Sequence, residues 1–426
     1  MRDLVISPLA RVDLSNFLSA HDSAAPLSTN QGSEAMPFQR WFHFKEAFSP
    51  PFVREVIETA PIRPRSCLDP FGGSGTTAMT CQFLGIRPTT IEVNPFLADV
   101  IEAKLSAYDV DRLIHDRAAL ACAVDAMEPE APVTLCEPGK DNRWVFDREI
   151  LYRVTQFRAA IETIPDPTSA RLFRVLLAAL LVPLSNVVIS GKGRRYRRKW
   201  QRTMRSAGMV DAEFERLFQV ALFDICRFPA QARAGYRLIR GDSRDVLRCF
   251  DEAVDVAIFS PPYPNSFDYT DIYNLELWVL GYLSSRLENI ALRQATLRSH
   301  VQIKREYAAA PTSSPTLHST LKRLYERRAS MWDPDLPAMV GSYFADLIQI
   351  LRALGDRLSE AGFIAMVIGD SRYADVIVKV PRIVEELAAE AGLRIERRDE
   401  IRSMRSSAQQ GGAHELGEAL LRFRRA

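Results

Sequence analysis

The amino-acid sequence predicts an α/β fold built on a mainly parallel sheet of seven strands, with helices packed on both faces. Three observations predict it. A strand, a glycine-rich turn, a helix and a second strand follow one another within residues 65–95. The same alternation of strands and helices resumes near Tyr236 and continues to the end of the chain. Between these two runs lies a long helical segment, which we interpret as an insertion into the sheet-forming chain.

The first run has the pattern of one βαβ unit. The strand ending at Leu68 is apolar, and three glycines within residues 72–75 permit a turn that side chains would block. A helix is predicted over Thr76–Leu84, where Gly85 ends it. The β-branched stretch Thr89–Val93 has the composition of a second strand. Such a unit is half of a doubly wound sheet.

The second run supplies the remaining strands of the sheet. Its predicted strands comprise residues 236–242, 254–259, 363–370, 393–401 and 418–425. Its predicted helices comprise residues 243–250, 273–283, 340–362 and 381–392. The stretch 363–370 has the continuous hydrophobicity of a strand that is buried on both faces. Together with the first unit, these segments give the seven strands.

The chain divides into a core and three further segments. The core comprises residues 37–106 and 236–426, which hold both alternating runs. Residues 1–36 are polar and rich in serine and alanine, and we expect them to form a loosely ordered arm. The helical pattern of residues 107–235 predicts a first insertion, which is a candidate for DNA binding. Residues 284–338 are polar, basic and irregular, and this pattern predicts a second insertion that is a candidate for target recognition.

Composition restricts the class of protein. Of the 426 residues, 47 % are hydrophobic and 25 % are charged, and the net charge is +2, as in a globular chain. The six cysteines include no CxxC pair, so neither a disulfide framework nor a metal site is expected. No apolar run approaches the roughly 20 residues of a membrane span, and the start lacks a secretory signal pattern. We expect a cytoplasmic protein without a membrane partner.

Acidic residues occur at the ends of three predicted strands. Asp69 opens the glycine-rich turn, Glu92 ends the second strand and Asp242 ends the third. Open α/β sheets bind ligands at this edge, and an acidic loop would repel a phosphate but attract a cation with an amino-acid tail. S-adenosylmethionine carries both a sulfonium and an ammonium group, so it is the cofactor we expect. The alternative for each carboxylate, taken singly, is a helix cap.

The strand at residues 254–259 runs directly into Ser260, Pro261, Pro262 and Tyr263. The two prolines fix the backbone and remove two N–H donors, so the Ser260 hydroxyl and the Pro261 carbonyl remain as acceptors. Two acceptors that bind both N–H groups of a base's amino group make its nitrogen a better nucleophile, and Tyr263 can stack on the base. The pattern therefore indicates transfer to an aromatic amine. The alternative is a simple turn that ends a strand.

Both motifs resemble those of the amino-methyltransferase family of DNA methylases. DPFGGSGTT (69–77) looks like the family's cofactor loop, SPPY (260–263) looks like its catalytic loop, and FHFKEAFSPPFV (42–53) resembles the segment over the methionine end of the cofactor. The resemblance covers about residues 40–105 and 236–425. It assigns to the cofactor Lys45, Asp69, Pro70, Phe71, Gly73, Ser74, Gly75, Thr76, Glu92, Asn94, Asp242 and Ser243. It assigns to the target amine Ser260, Pro261, Pro262 and Tyr263.

The resemblance implies a Rossmann-like, seven-stranded S-adenosylmethionine-dependent methyltransferase fold with helical insertions, and an enzyme that methylates DNA by base flipping. Serine at the position of Ser260 is usual for methylation of cytosine N4, whereas aspartate or asparagine is usual for adenine N6. Cytosine N4 is therefore the expected target, with adenine N6 as the alternative. The family also suggests a role in restriction-modification or phage defence, with a cognate restriction endonuclease as a partner.

Two segments are candidates for contacting DNA. Residues 191–210 hold eight Lys/Arg residues and no acid before residue 211, with aromatic residues between them, which suits contacts to phosphates and stacked bases. Residues 297–307 are a second basic segment whose side chains could reach phosphates or base edges. The alternative for both is an ordinary solvated surface. The candidate residues are Lys192, Arg194, Arg195, Tyr196, Arg197, Arg198, Lys199, Arg298, His300 and Lys304.

Three other functions fit parts of the pattern. An RNA or free-nucleobase amino-methyltransferase would share the core, and the basic insertions favour a polymer over a small molecule. A catalytically inactive nucleic-acid-binding module would show damage in one of the two loops, and both are intact. A nicotinamide-dependent dehydrogenase would carry GxGxxG after the first strand, which this sequence lacks.

Overall fold

The computed structural model describes residues 14–130, 135, 142–190, 193–203, 205–229, 234–405 and 415–426. Its strands are β1 (Ser66–Asp69), β2 (Arg87–Glu92), β3 (Val187–Ser190), β4 (Gly193–Tyr196), β5 (Arg237–Arg240), β6 (Val254–Phe259), β7 (Leu358–Gly369), β8 (Ser371–Tyr373), β9 (Val376–Val378), β10 (Leu393–Arg405) and β11 (Glu415–Arg425). Its α-helices are α1 (Pro50–Glu58), α2 (Thr76–Phe83), α3 (Pro95–Leu105), α4 (Val110–Val124), α5 (Arg148–Glu162), α6 (Pro167–Leu184), α7 (Ala207–Arg227), α8 (Ser243–Cys249), α9 (Tyr269–Ile272), α10 (Asn274–Val279), α11 (Arg286–Gln294), α12 (Pro315–Glu326), α13 (Leu336–Arg357) and α14 (Val380–Leu387).

Seven of these strands form one sheet in the order β10-β11-β7-β6-β1-β2-β5. The five strands from β7 to β5 run parallel, whereas β11 is antiparallel to β7 and β10 is antiparallel to β11. The sheet therefore confirms the predicted seven-stranded, mainly parallel, Rossmann-like methyltransferase fold. The remaining strands form two short hairpins, β3-β4 and β8-β9.

The position of β1 in this order fixes where a ligand can bind. Leu68 on β1 is in register with Thr89 on β2 at one side and with Ala257 on β6 at the other. The chain builds outward from β1 through β2 to β5, and then returns to start β6 on the opposite side. The loops that follow β1 and β6 therefore leave neighbouring parallel strands at the same edge, which is the switch point where doubly wound sheets bind ligands.

The strands are apolar because both faces of the sheet are covered. Cys67 and Val256 point into a cluster shared with α1, α2, α3 and the helices of the first insertion. Their neighbours Leu68 and Ala257 point to the opposite face, where α8, α13 and α14 complete a second cluster. This alternation follows the two-residue period of a strand, and it holds the ends of β1 and β6 rigidly.

The first insertion holds α4, α5, α6, α7 and the β3-β4 hairpin, and it docks on the core through α6. The helix packs against α3, and Arg174 on α6 pairs with Asp99 on α3 at 3.3 Å. Arg240 at the end of β5 pairs with the same carboxylate at 2.7 Å. Among the described residues, α6 is the one helix long and apolar enough to cross a membrane by length and composition, but it is mostly buried inside the protein. Its apolar character is accounted for by that burial.

Two segments are more ordered than the sequence predicted. Residues 14–18 are helical rather than part of a loose arm, and Phe17 is fully buried with its ring stacked 4.4 Å from that of Phe83. Apolar residues spaced three and four apart anchor residues 14–18 on α2, and residues 19–36 follow as turns and bends. The second insertion holds α11 and α12 instead of irregular chain, and α12 buries Leu317 and Leu324.

Candidate active site

The turn after β1 and the turn after β6 line one cavity of about 640 Å³ at the carboxyl edge of the sheet. All four predicted amine-binding residues line this cavity, and so does every predicted cofactor residue except Gly75. The cavity also receives residues 43–48 from the segment before α1. Ser243 donates a hydrogen bond to the carbonyl of Pro70, so the loops after β1 and β5 touch as well. The structure thus brings together residues that are far apart in the sequence.

The glycines of the first turn are required by close packing and by backbone conformation. A side chain at Gly72 would place its Cβ in steric overlap with Thr90 Cγ2. Gly73 has a φ of +53°, and its N–H donates to Glu92 Oε2 at 2.7 Å. Gly75 has a φ of +79° and directly precedes α2 as its N-cap residue. It contributes to the shape of the turn but does not line the cavity. Glycine adopts such conformations without steric cost.

A buried lysine supports the same turn. Lys104 on α3 is fully buried and donates to the carbonyl oxygen of Ser74 at 2.8 Å and to Gln39 Oε1 at 3.1 Å. Burial lowers the pKa of this ammonium group to about 7. Sequence reasoning did not single out Lys104, although a lysine at an inward position of an otherwise apolar helix is a detectable signal.

Two carboxylates of the cavity are held in an environment that disfavours negative charge. Burial raises the pKa of Asp69 to about 7, against the hydrogen bond that its Oδ1 accepts from Phe71 N–H at 2.9 Å. Burial also raises the pKa of Glu92 to about 7, with a further contribution from the charge of Asp69. Two desolvated acids side by side favour a cationic ligand, because a nearby positive charge stabilises their ionised forms.

Asp242 is already engaged within the protein. Its carboxylate caps α8 by accepting from Arg244 N–H at 2.9 Å, and the Arg244 guanidinium pairs with it at 2.6 Å. The same guanidinium also bonds Asp346 at 2.9 Å. The helix cap that we considered as the alternative is therefore present, and Asp242 lines the cavity in addition. Its contact with an adenine amino group stays a prediction.

Hydrogen bonds connect the Ser-Pro-Pro-Tyr turn to strand β11. Ser260 Oγ lies 3.4 Å from the Tyr263 hydroxyl, which donates to Glu418 Oε1 at 2.9 Å. Glu418 on β11 is buried and pairs with Arg402 on β10 at 2.6 Å. Both residues of this pair line the cavity. Sequence reasoning missed them, although an acid within the apolar strand after residue 415 was a signal.

The segment before α1 forms another wall of the cavity. The ring of Phe44 packs on Gly73 and stacks on Tyr273 at 5.6 Å between ring centres. Glu46 accepts from the Tyr273 hydroxyl at 2.9 Å, and burial raises the pKa of this carboxylate. Lys45 lines the cavity but donates to the carbonyl of Ile189 on β3 at 3.3 Å. Glu46 is a second acid that sequence reasoning missed.

The first basic segment lies beside the cavity. Strand β4 packs against α9, whose Tyr269 and Thr270 line the cavity, and Arg194 on β4 lies 3.9 Å from Asp271. The side chains of Arg195, Arg198 and Lys199 are exposed, as expected of residues that contact DNA. Tyr196 is partly buried, with its ring 5.2 Å from that of Trp200. Lys192 lies outside the described residues.

The Arg197 guanidinium contacts the protein itself, whereas the sequence predicted a contact with DNA. Its guanidinium donates to the carbonyl oxygen of Val182 at 2.9 Å and to that of Ser185 at 3.1 Å. These bonds complete the C-terminal end of α6, where carbonyl groups lack partners within the helix. The prediction that Arg197 reaches DNA is therefore corrected: the residue holds the β3-β4 hairpin onto α6.

The second basic segment also differs from the prediction. Arg298 pairs with Asp346 and donates to the carbonyl of Glu306 at 3.0 Å, so its guanidinium serves the fold. His300 is buried, and burial together with the charge of Arg305 lowers its pKa to about 3. A buried, neutral histidine cannot attract phosphate, so a phosphate contact is not expected of His300. The residue lines the cavity, and its contact with DNA stays a prediction. Lys304 is exposed and stays a candidate.

Relatives of the chain are methyltransferases. The Type II methyltransferase M.AvaI of Nostoc sp. is 26 % identical over 410 residues, covering 86 % of this chain and 81 % of the relative. M.BsoBI of Geobacillus stearothermophilus is 24 % identical over 420 residues, with the same shares covered. No protein-family model matches the chain. A solved glycopeptide N-methyltransferase, MtfA bound to S-adenosylmethionine, aligns over 89 % of this chain and 94 % of its own with 9 % identity and a TM-score of 0.29.

The sheet topology, the acidic glycine turn and the Type II relatives define an S-adenosylmethionine-dependent methyltransferase. These relatives at 24–26 % identity over most of the chain support the resemblance to the amino-methyltransferase family of DNA methylases.

Proposed function

We propose that this protein transfers a methyl group from S-adenosylmethionine to the exocyclic N4 amino group of cytosine in DNA, as the modification enzyme of a restriction-modification system. The observation that carries the proposal is the shared cavity. The acidic glycine turn and the Ser-Pro-Pro-Tyr turn leave neighbouring strands and line the same space. A cofactor held by one turn and an amine held by the other would therefore lie next to each other.

The residues of the cavity fit the cofactor. Asp69 and Glu92 are buried acids that a sulfonium or ammonium group would keep ionised, and both line the same cavity as the glycine turn. Glu92 would hold the ribose hydroxyls, and the loop at Asp242 would face the adenine. When bound, S-adenosylmethionine supplies an electrophilic methyl group on a sulfonium leaving group.

The second turn would hold the amine. Ser260 Oγ and the Pro261 carbonyl would accept its two N–H groups, which localises the nitrogen lone pair, and the ring of Tyr263 would stack on the base. These dipoles are fixed before the reaction, and they stabilise the positive charge that develops on nitrogen. Because an alkylated amine is acidic, it can lose its extra proton to water without a strong general base.

DNA would approach along the β3-β4 hairpin. Arg195, Arg198 and Lys199 expose positive charge beside the cavity and are suited to phosphates. A base within a duplex cannot reach an enclosed site, so the target cytosine would be flipped into the cavity. Relatives named as Type II methyltransferases support the assignment to restriction-modification, and with it a cognate endonuclease as partner.

The experiment that tests this function compares DNA from cells with and without the gene, digested to nucleosides and analysed by mass spectrometry. We expect 4-methylcytosine only when the gene is present. A matched control carries Ser260→Ala, which should lose the modified base while the purified variant binds S-adenosylmethionine in calorimetry as the wild type does. Detection of 6-methyladenine instead would overturn the choice of cytosine. Methyl groups found only in RNA would overturn the choice of DNA.

A further inference from the structure

The ion pair between Glu418 and Arg402 is placed where a structural role alone does not require it. Glu418 is buried on β11 and Arg402 lies opposite on β10, with Arg402 Nε 2.6 Å from Glu418 Oε2 and Nη2 3.2 Å from Oε1. Both side chains line the cavity of the proposed active site. The Glu418 side chain is buried, whereas that of Arg402 is 34 % exposed. Burying the carboxylate costs desolvation energy that an apolar residue would avoid, so its position at this wall suggests a function there.

The pair is connected to Ser260 through one hydroxyl group. The Tyr263 hydroxyl donates to Glu418 Oε1 at 2.9 Å, and Ser260 Oγ donates to the Tyr263 oxygen at 3.4 Å. Burial and the charge of Glu418 raise the pKa of Tyr263 well above its ordinary value, which keeps the hydroxyl proton in place to be donated. A chain of hydrogen bonds therefore runs from Ser260 through Tyr263 to the Glu418 carboxylate.

The direction of these hydrogen bonds determines whether the Ser260 hydroxyl acts as a donor or as an acceptor toward the amine. A serine hydroxyl is both a donor and an acceptor, and an amine nitrogen that must attack with its lone pair needs an acceptor. Tyr263 has a single hydroxyl hydrogen. Because the Tyr263 hydroxyl donates this hydrogen to Glu418, its oxygen can only accept a hydrogen bond from Ser260. The lone pairs of the Ser260 hydroxyl then face the remaining space of the cavity.

We propose that Glu418, paired with Arg402, is a positioning residue that acts through Tyr263 to make Ser260 an obligatory acceptor for the target amine. The inference rests on the proposed function, since it assigns the amine to Ser260. It adds that the turn alone is insufficient: a polar contact from the closing strands of the sheet sets the direction of its hydrogen bonds. Neither residue is adjacent in sequence to the turn, since Glu418 follows Tyr263 by 155 positions.

A double-mutant cycle tests the inference. Glu418→Gln keeps the shape but lets the amide donate as well as accept, and Tyr263→Phe keeps the ring but removes the hydroxyl. We expect each variant to lower kcat roughly tenfold or more, with the KM for DNA and the Kd for S-adenosylmethionine unchanged. The double variant should be no slower than the worse single variant, because both changes break one chain. Losses that multiply would overturn the inference.

A matched control distinguishes positioning from support of the sheet. Glu396 on β10 pairs with Arg424 on β11 at 2.9 Å, so it joins the same two strands. Glu396→Gln should leave kcat unchanged. A reduction of kcat in this variant equal to that in Glu418→Gln would mean that both pairs act only by supporting the strands, and the inference would fail.

A readout independent of turnover separates this inference from the proposed function. The hydroxyl-proton NMR resonance of Tyr263, identified by its disappearance in Tyr263→Phe, should lie downfield in the wild type and move upfield in Glu418→Gln. An unmoved or undetectable resonance would overturn the inference even if the enzyme methylates DNA. A shifted resonance in a protein that methylates no DNA would overturn the proposed function, and with it the role of Ser260, while leaving the hydrogen-bond chain established.

Discussion

Several acidic side chains at this site are shielded from water. Asp69, Glu92 and Glu46 are acids whose pKa is raised by burial, and they surround the part of the cavity nearest the glycine turn. Grouped acids repel one another when ionised, so they destabilise the folded site by themselves. A cationic ligand offsets that repulsion, which is why the same residues that cost stability favour binding.

This arrangement predicts how cofactor affinity depends on pH. The pKa values of Asp69 and Glu92 are about 7, so both acids are ionised above neutral pH and become protonated as the pH falls below it. Because the ionised forms attract the sulfonium and ammonium groups, calorimetry should show the Kd for S-adenosylmethionine rising as the pH is lowered through about 7. Asp69→Asn should bind more weakly and with a shallower dependence. An affinity that is constant across neutral pH would contradict the assignment.

At the scale of elements, the turn after β1 is held from three directions: by Thr90 on β2, by Ile101 on α3 and by Lys104 on α3. The space beneath Gly72 is therefore already filled. A turn enclosed in this way keeps its shape in the absence of ligand, and its glycines are needed for packing as much as for backbone freedom.

Gly72→Ala tests this packing. Its Cβ would overlap Thr90 Cγ2 and lie 2.8 Å from Ile101 Cδ1, so β2 and α3 must shift. We expect a decrease of about 1–3 kcal/mol in the free energy of unfolding and weaker cofactor binding, measured by denaturant unfolding and calorimetry. Gly208→Ala, on the exposed N-terminal turn of α7 with open space around it, should instead stabilise by about 0.5–1 kcal/mol. Equal effects of the two substitutions would contradict this account of the turn.

The β3-β4 hairpin is the element we expect to bind DNA. Arg195→Ala combined with Arg198→Ala should raise the Kd for DNA and reduce the slope of log Kd against log salt by about 0.9 for each phosphate that is no longer neutralised. Cofactor affinity should not change. Arg216→Ala on the exposed surface of α7, where Arg216 pairs with Glu213, serves as the control and should leave DNA binding intact. If the control weakens binding as much as the hairpin variant, the charge of the whole protein rather than the hairpin is responsible.

For the whole molecule, the order of strands explains why the site lies where it does. Strand β1 lies inside the sheet between β6 and β2, and the chain leaves it first toward β5 and then toward β10. Any two loops that follow β1 and β6 must meet at the carboxyl edge, whatever is inserted between them. The helical insertion and the segment with α11 and α12 could therefore be added without separating the glycine turn from the Ser-Pro-Pro-Tyr turn.

Local patterns predicted this arrangement well, and long-range contacts did not follow from them. The glycine turn and the Ser-Pro-Pro-Tyr turn are recognisable because each is continuous in sequence and each follows an apolar strand. The places of Arg197 and Arg298 depend on partners such as Val182 and Asp346, which no local pattern identifies. Glu418 was missed for the same reason, since its partner Tyr263 follows a different strand.

The most direct test of the central claim is a crystal structure of the protein with S-adenosylhomocysteine. The account predicts that the ligand lies in the cavity of about 640 Å³, with its amino-acid end beside the glycine turn at Asp69 and its ribose at Glu92. Its sulfur should face the space in front of Ser260. A ligand bound elsewhere, or one whose sulfur points away from the Ser-Pro-Pro-Tyr turn, would contradict it.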